Sequence, residues 1–253
     1  MAVTIKTAAE IALMREAGRL LGEVHNELAR ALRPGMTTKE VDQLGEKLIR
    51  KRKCIPSFLG YGGFPGSICV SVNEEVIHGI PGDRVLKDGD VVSLDAGLIW
   101  KGFQSDAART HIIGEGTPET RKLVEVTREA FYAGVKMAVA GGHLHDISNA
   151  IADYVEPFGY GIVEDYVGHG IGRQMHEAPE IPNFRQRSRG IRLRPGMTLA
   201  VEPMINLGTW EVRVLSDDWT VVTRDGKPAA HYENTILITD GEPEILSVAD
   251  GIR

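Results

Sequence analysis

The chain has 253 residues, of which 42% are hydrophobic and 25% are charged, and its formal net charge is −6. This length supports one large domain or two small ones, and the acidic balance excludes a broad basic surface for nucleic acid or anionic membranes. The two cysteines, Cys54 and Cys69, argue against a disulfide framework and for a reducing compartment, with a single disulfide between them left open. Because no run of about 18 apolar residues occurs and the N-terminus lacks a signal-peptide pattern, we expect a cytoplasmic protein without a membrane span or a cleaved presequence.

Two helices are predicted at the start of the chain. Residues 7–10 and 37–40 both have the Thr-x-x-Glu pattern of a capping box, in which each end residue satisfies a free backbone N–H of the first helical turn. Apolar residues at steps of three and four follow each box, which is the period of a helix packed on a core. The first helix should stop at Arg33-Pro34-Gly35 and the second near Lys53.

A region of loops and strands follows these helices. Residues 55–71 are rich in glycine and aromatic residues, which is typical either of an ordinary loop or of a loop that walls a pocket. We expect a strand from Ile68 to Ile77, a turn at residues 78–82 and a short β-meander from Asp90 to Ile113.

The order of elements then repeats. A third helix should begin at Thr117-Pro118 and run to about Ala140, and a fourth lies around residues 147–155, with more strands after it. Two helices and a sheet, twice over, indicate an internal duplication. We therefore expect one domain over residues 1–253, with internal halves at about 7–116 and 117–253.

The duplication places polar residues at matching positions. Asp95 and Glu202, which are 107 positions apart, each end a predicted strand, and a His-Gly-Ile turn begins at both His78 and His169. Repeated apolar residues can reflect shared architecture alone, whereas repeated polar residues indicate two halves that face each other across one site.

Two acidic residues of the first half, Asp95 and Asp106, would be brought together by a short turn between strands. A lone aspartate at a strand end is commonly a turn residue, but a buried carboxylate pair is costly unless a cation neutralises it. Closing of the two halves would add Glu202, His169 and Glu233. Four carboxylates and one imidazole suit two divalent ions such as Mn, Fe or Co and exclude a Cys-rich structural zinc site.

Six short motifs carry these and other polar residues at set spacings. They are Asn73-Glu74-Glu75-Val76-Ile77-His78-Gly79-Ile80-Pro81, Asp95 with Asp106 and Arg109-Thr110, Gly168-His169-Gly170-Ile171-Gly172, His176-Glu177, Val201-Glu202-Pro203, and Glu233-Asn234-Thr235. On these motifs the chain resembles the type I (bacterial-type) methionine aminopeptidases of the pita-bread metallopeptidase family, over almost its whole length. The resemblance implies an α+β pita-bread fold, in which a curved antiparallel β-sheet is backed by helices and the halves are related by a pseudo-twofold axis.

The resemblance also implies an activity and a ligand set. The activity is removal of the initiator methionine from nascent proteins and peptides, with a preference for a small second residue, by two-metal-assisted hydrolysis of the first peptide bond. Two divalent ions (Co, Mn, Fe or Zn) would be held by five ligands, of which Asp106 and Glu233 bridge both ions. Asp95 would serve one ion, and His169 and Glu202 the other.

Three of the matching residues have an implied catalytic role. Glu202 would move the proton of the attacking water. His176 would hydrogen-bond the scissile amide and stabilise the tetrahedral intermediate, and His78 would contact the substrate near the leaving group. The alternative for both histidines is a structural role.

Selectivity for methionine needs a close-fitting apolar pocket, in which a thioether meets aromatic rings and sulfur favourably. By position, Phe58, Tyr61, Phe64 and Cys69 resemble the wall of that pocket, and Trp219 closes it. The chain departs from relatives of the family at three positions that bear on the outer rim and on inhibitor selectivity, and not on the reaction: Gly62, Phe58 and Met175.

The partners implied by the resemblance are N-terminal methionine peptides and nascent chains at the ribosome exit. It implies no sequence-specific nucleic acid, no membrane, and a monomer in the cytoplasm, with ribosome contact through a local basic patch left open. Because the chain itself begins Met1-Ala2, the enzyme should process its own N-terminus.

Two rival interpretations share the fold. Prolidases and aminopeptidase P have the same five ligands but carry an N-terminal domain, for which a chain with its first ligand at residue 95 has no room. Non-catalytic pita-bread domains that bind peptides or histones lack the metal ligands, whereas all five are present here. Metal-dependent release of methionine from the peptide Met-Ala-Ser separates the enzyme from the binding module.

Overall fold

The computed structural model describes residues 3–248, so the predicted processing of Met1-Ala2 lies outside the described residues. Within this range the chain forms four α-helices and fifteen β-strands. The helices are α1 (Ala8–Ala31), α2 (Thr38–Lys51), α3 (Pro118–Lys136) and α4 (Leu144–Val155). The first-half strands are β1 (Ile55–Pro56), β2 (Cys69–Val72), β3 (Glu75–Ile77), β4 (Val91–Trp100) and β5 (Phe103–Ile112). The second-half strands are β6 (Gly161–Ile162), β7 (Gly168–Gly170), β8 (Glu177–Ile181), β9 (Thr198–Val201), β10 (Met204–Asn206), β11 (Val212–Val214), β12 (Val221–Thr223), β13 (Ala229–His231), β14 (Glu233–Leu237) and β15 (Glu244–Ile245).

The first two helices begin where their capping boxes predict. The hydroxyls of Thr7 and Thr37 each accept a hydrogen bond from the N–H of the third helical residue. The carboxylates of those third residues, Glu10 and Glu40, accept one in return from the backbone N–H of the cap. Both predicted boxes are therefore closed, and α2 ends at Lys51, close to the predicted end.

The third helix is shorter than predicted. It ends at Lys136 and does not reach Ala140. Its last turn tightens, because the Met137 N–H bonds to the carbonyl three residues before it. The chain then leaves the helical path so that the Gly141 N–H can bond to the carbonyl of Leu193 at 2.9 Å.

The main sheet has nine strands and joins the two halves. Its order is β1-β4-β5-β14-β9-β7-β8, with β2 also paired to β4 and β15 to β14. Its pairings are antiparallel, and the β5–β14 pairing connects the first half to the second. Two three-stranded sheets, β13-β10-β6 and β11-β12-β3, complete the strand structure. Antiparallel sheets with four helices confirm the predicted α+β class.

Each half packs its helices on its own strands. One apolar cluster lies between α1, α2 and the strands β2, β4 and β5, and another lies between α3, α4 and the strands β9, β10, β13 and β14. A third cluster joins the halves, with Met14 and Phe103 packed in the same group as Ile171, Met175 and Ala200. Burying each large apolar side chain contributes about 1.5–3 kcal/mol, so these clusters hold in place the sheet that carries the polar residues.

Two expectations for the first-half strands are wrong. Asp95 does not end its strand, because β5 pairs with β4 without a break as far as the turn at Lys101-Gly102, and β4 therefore continues to Trp100. Glu202, its predicted counterpart, follows the last residue of β9. The single strand predicted over residues 68–77 is two strands, β2 and β3, because Asn73 between them takes a positive φ of 57°.

The two His-Gly-Ile segments differ in local structure. His78 follows β3 with a positive φ of 58°, but residues 78–82 form an irregular segment and not the predicted turn. His169 is the middle residue of β7, so the prediction of a turn there is wrong. The glycine before it allows close strand contact, because a Cβ at Gly168 would lie 2.4 Å from the carbonyl oxygen of Ala200.

Two features bear on compartment and membrane association. Cys54 and Cys69 are both free and buried, so no disulfide joins them. In the part of the chain that the structure describes, no helix combines the length and the apolar content needed to span a bilayer.

Candidate metal centre and substrate pocket

Strand register brings three of the five predicted metal ligands to one face of the main sheet. Asp95 of β4 lies opposite Ala108 of β5, and Ala108 lies opposite Glu233 of β14. Cross-strand partners share a face, and so do residues two apart on one strand. Asp106, two residues before Ala108, therefore points to the same side of the sheet as Asp95 and Glu233.

A second row brings the other two ligands to the same face. His169 of β7 lies opposite Ala200 of β9, and Ala200 lies opposite Thr235 of β14. Thr235 is two residues after Glu233, and Glu202 is two residues after Ala200, so the rows share their face. Each row has an alanine at its centre, and the small side chains of these alanines leave room for the larger ligand side chains beside them.

The ligand atoms lie close together. One ligand atom from each of Asp106, His169 and Glu233 lies within 4.8 Å of the others. Glu202 Oε1 is 3.6 Å from His169 Nε2. Asp106, His169 and Glu233 are buried, whereas Asp95 and Glu202 are half-buried. Carboxylate oxygens with one imidazole nitrogen are a donor set that divalent first-row ions accept.

The electrostatics of the cluster fit bound cations. Asp95 Oδ1, Asp106 Oδ1 and Glu233 Oε1 are buried without a hydrogen-bond partner among residues 3–248. Burial raises the pKa of Asp106 to about 7. Burial, followed by repulsion from neighbouring carboxylates, raises the pKa values of Asp95, Glu202 and Glu233 well above their ordinary range. Divalent ions would neutralise these charges and use the free lone pairs.

The tautomer of His169 also fits metal ligation. Its Nδ1–H donates to the carbonyl of Gly170 at 2.9 Å, which leaves the Nε2 lone pair facing the carboxylates. A histidine that binds a metal usually donates its other ring N–H in this way. Burial lowers the pKa of His169 to about 4, so the ring is neutral near pH 7.

Side chains behind the ligands fix their backbone. Thr235 Oγ1 accepts a hydrogen bond from the N–H of Asp106 and donates one to its carbonyl, both at 3.0 Å. The guanidinium of Arg109 donates to the carbonyl of Glu233 and, at 2.5 Å, to Asn234 Oδ1. These contacts tie β5 to β14 at the two residues proposed to bridge the ions.

A cavity of about 140 Å³ lies against this face of the sheet. Phe64 and Cys69 form buried parts of its wall, and Phe64 meets the half-buried Trp219 edge-on at 5.1 Å. The cavity brings together every predicted ligand and substrate residue, namely Phe58, Tyr61, Phe64, Cys69, His78, Asp95, Asp106, His169, His176, Glu202, Trp219 and Glu233.

The two predicted catalytic histidines, His78 and His176, both line the cavity. His176 lies 4.3 Å from His169 between ring centres, and its Nδ1 is 2.7 Å from the hydroxyl of Tyr61. When that hydroxyl donates to Nδ1, the His176 proton is on Nε2. Burial lowers the pKa of His176, and burial with repulsion from His176 lowers the pKa of His78 to about 4. Both rings are therefore neutral near pH 7. The ring of His78 lies edge-on to that of Trp219, with 6.1 Å between the ring centres.

Sequence reasoning treated Met175 as a rim position and missed His231. Met175 lines the cavity and is 2% exposed. His231 Nε2 lies 3.5 Å from Glu202 Oε2. The sequence did carry a signal for His231, because it stands two residues before Glu233, a predicted ligand. The two residues lie on different strands, since His231 ends β13 and Glu233 begins β14.

Sequence reasoning also missed a contact from the N-terminal segment. Lys6 Nζ lies 2.7 Å from Glu177 Oε2, and both side chains are largely buried. Glu177 directly follows His176, so this ion pair holds the segment that carries a predicted catalytic group. No local pattern marks Lys6, because its partner is 171 residues away.

Comparisons with known proteins agree with this geometry. A family model described as metallopeptidase family M24 matches residues 12–240. The chain is 56% identical over 249 residues to a methionine aminopeptidase of Clostridium acetobutylicum, covering 98% of this chain and 100% of that protein. It is 50% identical over 245 residues to methionine aminopeptidase 1 of Bacillus subtilis, covering 97% and 99% of the two chains.

Solved structures separate the two enzyme groups that share the fold. Methionine aminopeptidase from Thermotoga maritima has a TM-score of 0.95 at 45% identity, with 98% of this chain and 100% of that chain covered. Xaa-Pro dipeptidase from Bacillus anthracis has a TM-score of 0.76 at 27% identity, with 96% of this chain but 61% of that chain covered. The predicted pita-bread fold is confirmed. The chain belongs to metallopeptidase family M24 and, within that family, to the bacterial-type methionine aminopeptidases.

Proposed function

We propose that the protein removes the N-terminal methionine from peptides and nascent proteins, with a preference for a small second residue. The reaction is hydrolysis of the first peptide bond, assisted by two divalent ions. The observation that carries the proposal is the convergence of four carboxylates and one imidazole beneath an aromatic cavity. Because the ligands come from both halves, about 7–116 and 117–253, we infer that the chain acts as one catalytic domain.

Five residues would hold the ions. Asp106 and Glu233 would hold both ions, Asp95 would hold one of them, and His169 and Glu202 would hold the other. Co, Mn, Fe and Zn are the candidate metals. When bound, the ions supply Lewis acidity, which polarises the scissile carbonyl and makes water a nucleophile near neutral pH.

The substrate side chain enters the aromatic part of the cavity. Phe58, Tyr61 and Phe64 offer ring faces and edges, and Cys69 offers sulfur, which suits a flexible thioether. Trp219 closes the pocket over Phe64. Because each buried methylene contributes about 0.8 kcal/mol, a side chain that fills the pocket should bind more tightly than a shorter one.

Three residues handle protons and hydrogen bonds during hydrolysis. The Glu202 carboxylate accepts the proton of the attacking water and passes it to the leaving amine. His176, with Nδ1 held by Tyr61, donates its Nε2–H to the scissile amide and stabilises the oxyanion as it forms. His78 contacts the substrate near the leaving amine.

The biological setting is part of the same proposal. Nascent chains carry an initiator methionine as they leave the ribosome, so we propose that the enzyme acts there, in the cytoplasm, as a monomer. Neither a sequence-specific nucleic acid nor a membrane takes part in the proposed reaction.

Release of methionine from Met-Ala-Ser tests the activity. We expect release by protein reconstituted with a single divalent metal and none by metal-free protein, and slower release from Met-Trp-Ser. Reconstitution with Co, Mn, Fe and Zn separately, next to elemental analysis of anaerobically purified protein, identifies the working metal. Equal binding of the peptide without release, whether or not metal is present, would favour a binding module.

A variant of His176 tests the proposed role of a residue that is not a metal ligand. His176→Ala should lower kcat by about 100-fold to 1,000-fold, which is the cost of losing one oxyanion donor. Its metal content should equal that of the wild type. A loss of metal together with activity would move His176 from the catalytic groups to the ligands.

A further inference from the structure

We propose that His231 is a positioning residue that donates a hydrogen bond from Nε2 to Glu202 and fixes the orientation of that carboxylate. This role rests on the proposed function of Glu202 as both metal ligand and proton carrier. The contact assigns different tasks to the two carboxylate oxygens, with Oε2 facing His231 and Oε1 facing His169.

The backbone of His231 is held firmly enough for such a role. It ends β13, where it lies opposite Met204 of β10, two residues after Glu202. Thr110 Oγ1 accepts a hydrogen bond from the His231 N–H at 2.9 Å and donates one to its carbonyl at 2.8 Å. One side chain of β5 therefore holds both backbone polar groups of His231 and fixes the direction in which its side chain leaves the backbone.

The ring of His231 lies beside Glu202 and makes no hydrogen bond within residues 3–248. The residue is 2% exposed, and neither ring nitrogen has a hydrogen-bond partner among residues 3–248. Nε2 lies 3.5 Å from Glu202 Oε2. A shortening of about 0.5 Å would make an ordinary hydrogen bond, whereas a buried N–H without an acceptor costs about 1–3 kcal/mol. The carboxylate is therefore the partner that satisfies the ring.

The proximity of His231 to Glu202 and Glu233 also fits a sixth metal ligand, since their ligand atoms lie within 4.8 Å of one another. The tautomer argues against that role. His169, a proposed ligand, donates its Nδ1–H to a carbonyl and frees Nε2 for a metal. His231 Nδ1 has no acceptor within the described part of the chain, so a metal at Nε2 would leave a buried Nδ1–H unpaired. With the proton on Nε2, the ring donates to Glu202 and no donor is left unsatisfied.

A matched pair of substitutions separates the hydrogen bond from packing. His231→Gln keeps an N–H donor of similar reach, whereas His231→Leu keeps apolar bulk and removes the donor. Loss of an outer hydrogen bond to a metal ligand typically costs about 10-fold to 100-fold. In the Leu variant we expect kcat on Met-Ala-Ser and affinity for Co(II) to fall by about that factor, with KM little changed. The Gln variant should stay within about three-fold of wild type.

Two further measurements keep the test decisive. X-ray absorption of the Co(II)-loaded protein counts the imidazoles bound to metal, and this count should not change in either variant. Thermal unfolding of the metal-free variants checks folding, and His231→Met replaces the Leu variant if that variant does not fold. His145→Gln, on α4 and bonded to the carbonyl of Ser188, is the control and should behave as wild type.

Each alternative has its own signature. Equal losses in the Gln and Leu variants would reduce His231 to a packing residue, and an unchanged Leu variant would remove any role. A lost imidazole in the Gln variant would make His231 a ligand. If the wild-type protein releases no methionine, the proposed function fails, but the ratio of Co(II) affinities between the Gln and Leu variants still decides the contact with Glu202.

Discussion

The two halves of the molecule present their proposed metal ligands from strands of very different length. β4 and β5 pair over ten positions without a break, and the backbone ladder of this hairpin places Asp95 and Asp106. β7, β9 and β14 have three, four and five residues. The ligands of the second half therefore lie on strands that have few ladder bonds of their own.

Side chains make up for the short strands. Arg109 donates hydrogen bonds to Glu233 and Asn234 of β14, and Lys6 forms an ion pair with Glu177 at the start of β8. In the first half a long backbone ladder positions the proposed ligands, with added hydrogen bonds between Thr235 and the backbone of Asp106. In the second half polar side chains from distant parts of the chain take a larger share of this task. Among substitutions that leave the proposed ligands in place, those that remove Arg109 or Lys6 should therefore lower stability more than those in the β4–β5 hairpin.

The largest effect should come from Asp106, one of the two ligands proposed to bridge both ions. Asp106→Ala should release both ions and lower turnover of Met-Ala-Ser by about 1,000-fold, because several kcal/mol of Lewis-acid stabilisation are lost. Asp95→Ala should mainly loosen one ion. Metal analysis after dialysis distinguishes the two variants. Loss of both ions from the Asp95 variant, with a milder Asp106 variant, would contradict the bridging assignment.

The second-largest effect should come from loss of the ion pair between Lys6 and Glu177. Lys6→Met should lower the free energy of unfolding by about 3–5 kcal/mol, because it leaves a buried carboxylate at Glu177 without its cation. Denaturant unfolding measures the loss. The double variant Lys6→Met/Glu177→Gln should recover most of it, and a double variant as unstable as the single one would show that packing, not charge, is at work.

The same ion pair predicts a pH dependence. Burial acts to raise the pKa of Glu177, but hydrogen bonds from Lys6 and Thr4 outweigh it and leave the pKa below its ordinary value of 4.5. A carboxylate with a lowered folded pKa stabilises the protein above pH 4.5, and this stability is lost as the pH falls through the folded pKa. Unfolding curves above and below pH 4.5 should show a smaller acid loss in the double variant than in the wild type.

Loss of the hydrogen bonds from Arg109 to β14 should have a smaller effect on stability. Arg109→Met removes charge-assisted hydrogen bonds to Glu233 and Asn234, and should cost about 3 kcal/mol. Affinity for the metals should fall about 10-fold. Arg50→Met is the control, because the side chains of Arg50 and Glu46 are 53% and 35% exposed, and such pairs contribute under about 0.5 kcal/mol. Equal effects of the two substitutions would deny Arg109 any special role.

The smallest effect should come from the first-half hairpin. A Cβ at Gly97 would lie 2.9 Å from Ser57 Cβ and 3.0 Å from the methyl of Met175, whose flexible end can shift. Gly97→Ala should therefore cost about 1–3 kcal/mol, measured by thermal unfolding. Gly241→Ala is the control, since its nearest neighbour atom is 3.8 Å away. A Gly97 variant as damaged as the Lys6 variant would reverse the contrast between the halves.

Local chemistry explains what could be predicted from the sequence. The starts of α1 and α2 followed from Thr7 and Thr37, because a capping box is complete within four residues. The five proposed ligands followed from their motifs and from the cost of burying carboxylates. The structure brings these ligands together, as the sequence predicts.

Long-range contacts explain what could not be predicted. The position of Asp95 within its strand depends on how far β5 continues to pair, and nothing next to Asp95 encodes that length. The bond between Lys6 and Glu177 crosses 171 residues. The end of α3 depends on a backbone bond from Gly141 to the distant Leu193.

The rows of cross-strand partners have a consequence for folding. A slip of β14 by one residue against β5 would turn Glu233 to the far face of the sheet and put Asn234 in its place. An ion held by the proposed ligands of both halves would bind only the correctly paired sheet, and its binding energy would stabilise no slipped alternative. Ion binding would thus favour the correct register of the strands, an effect separate from the proposed role of the ions in hydrolysis.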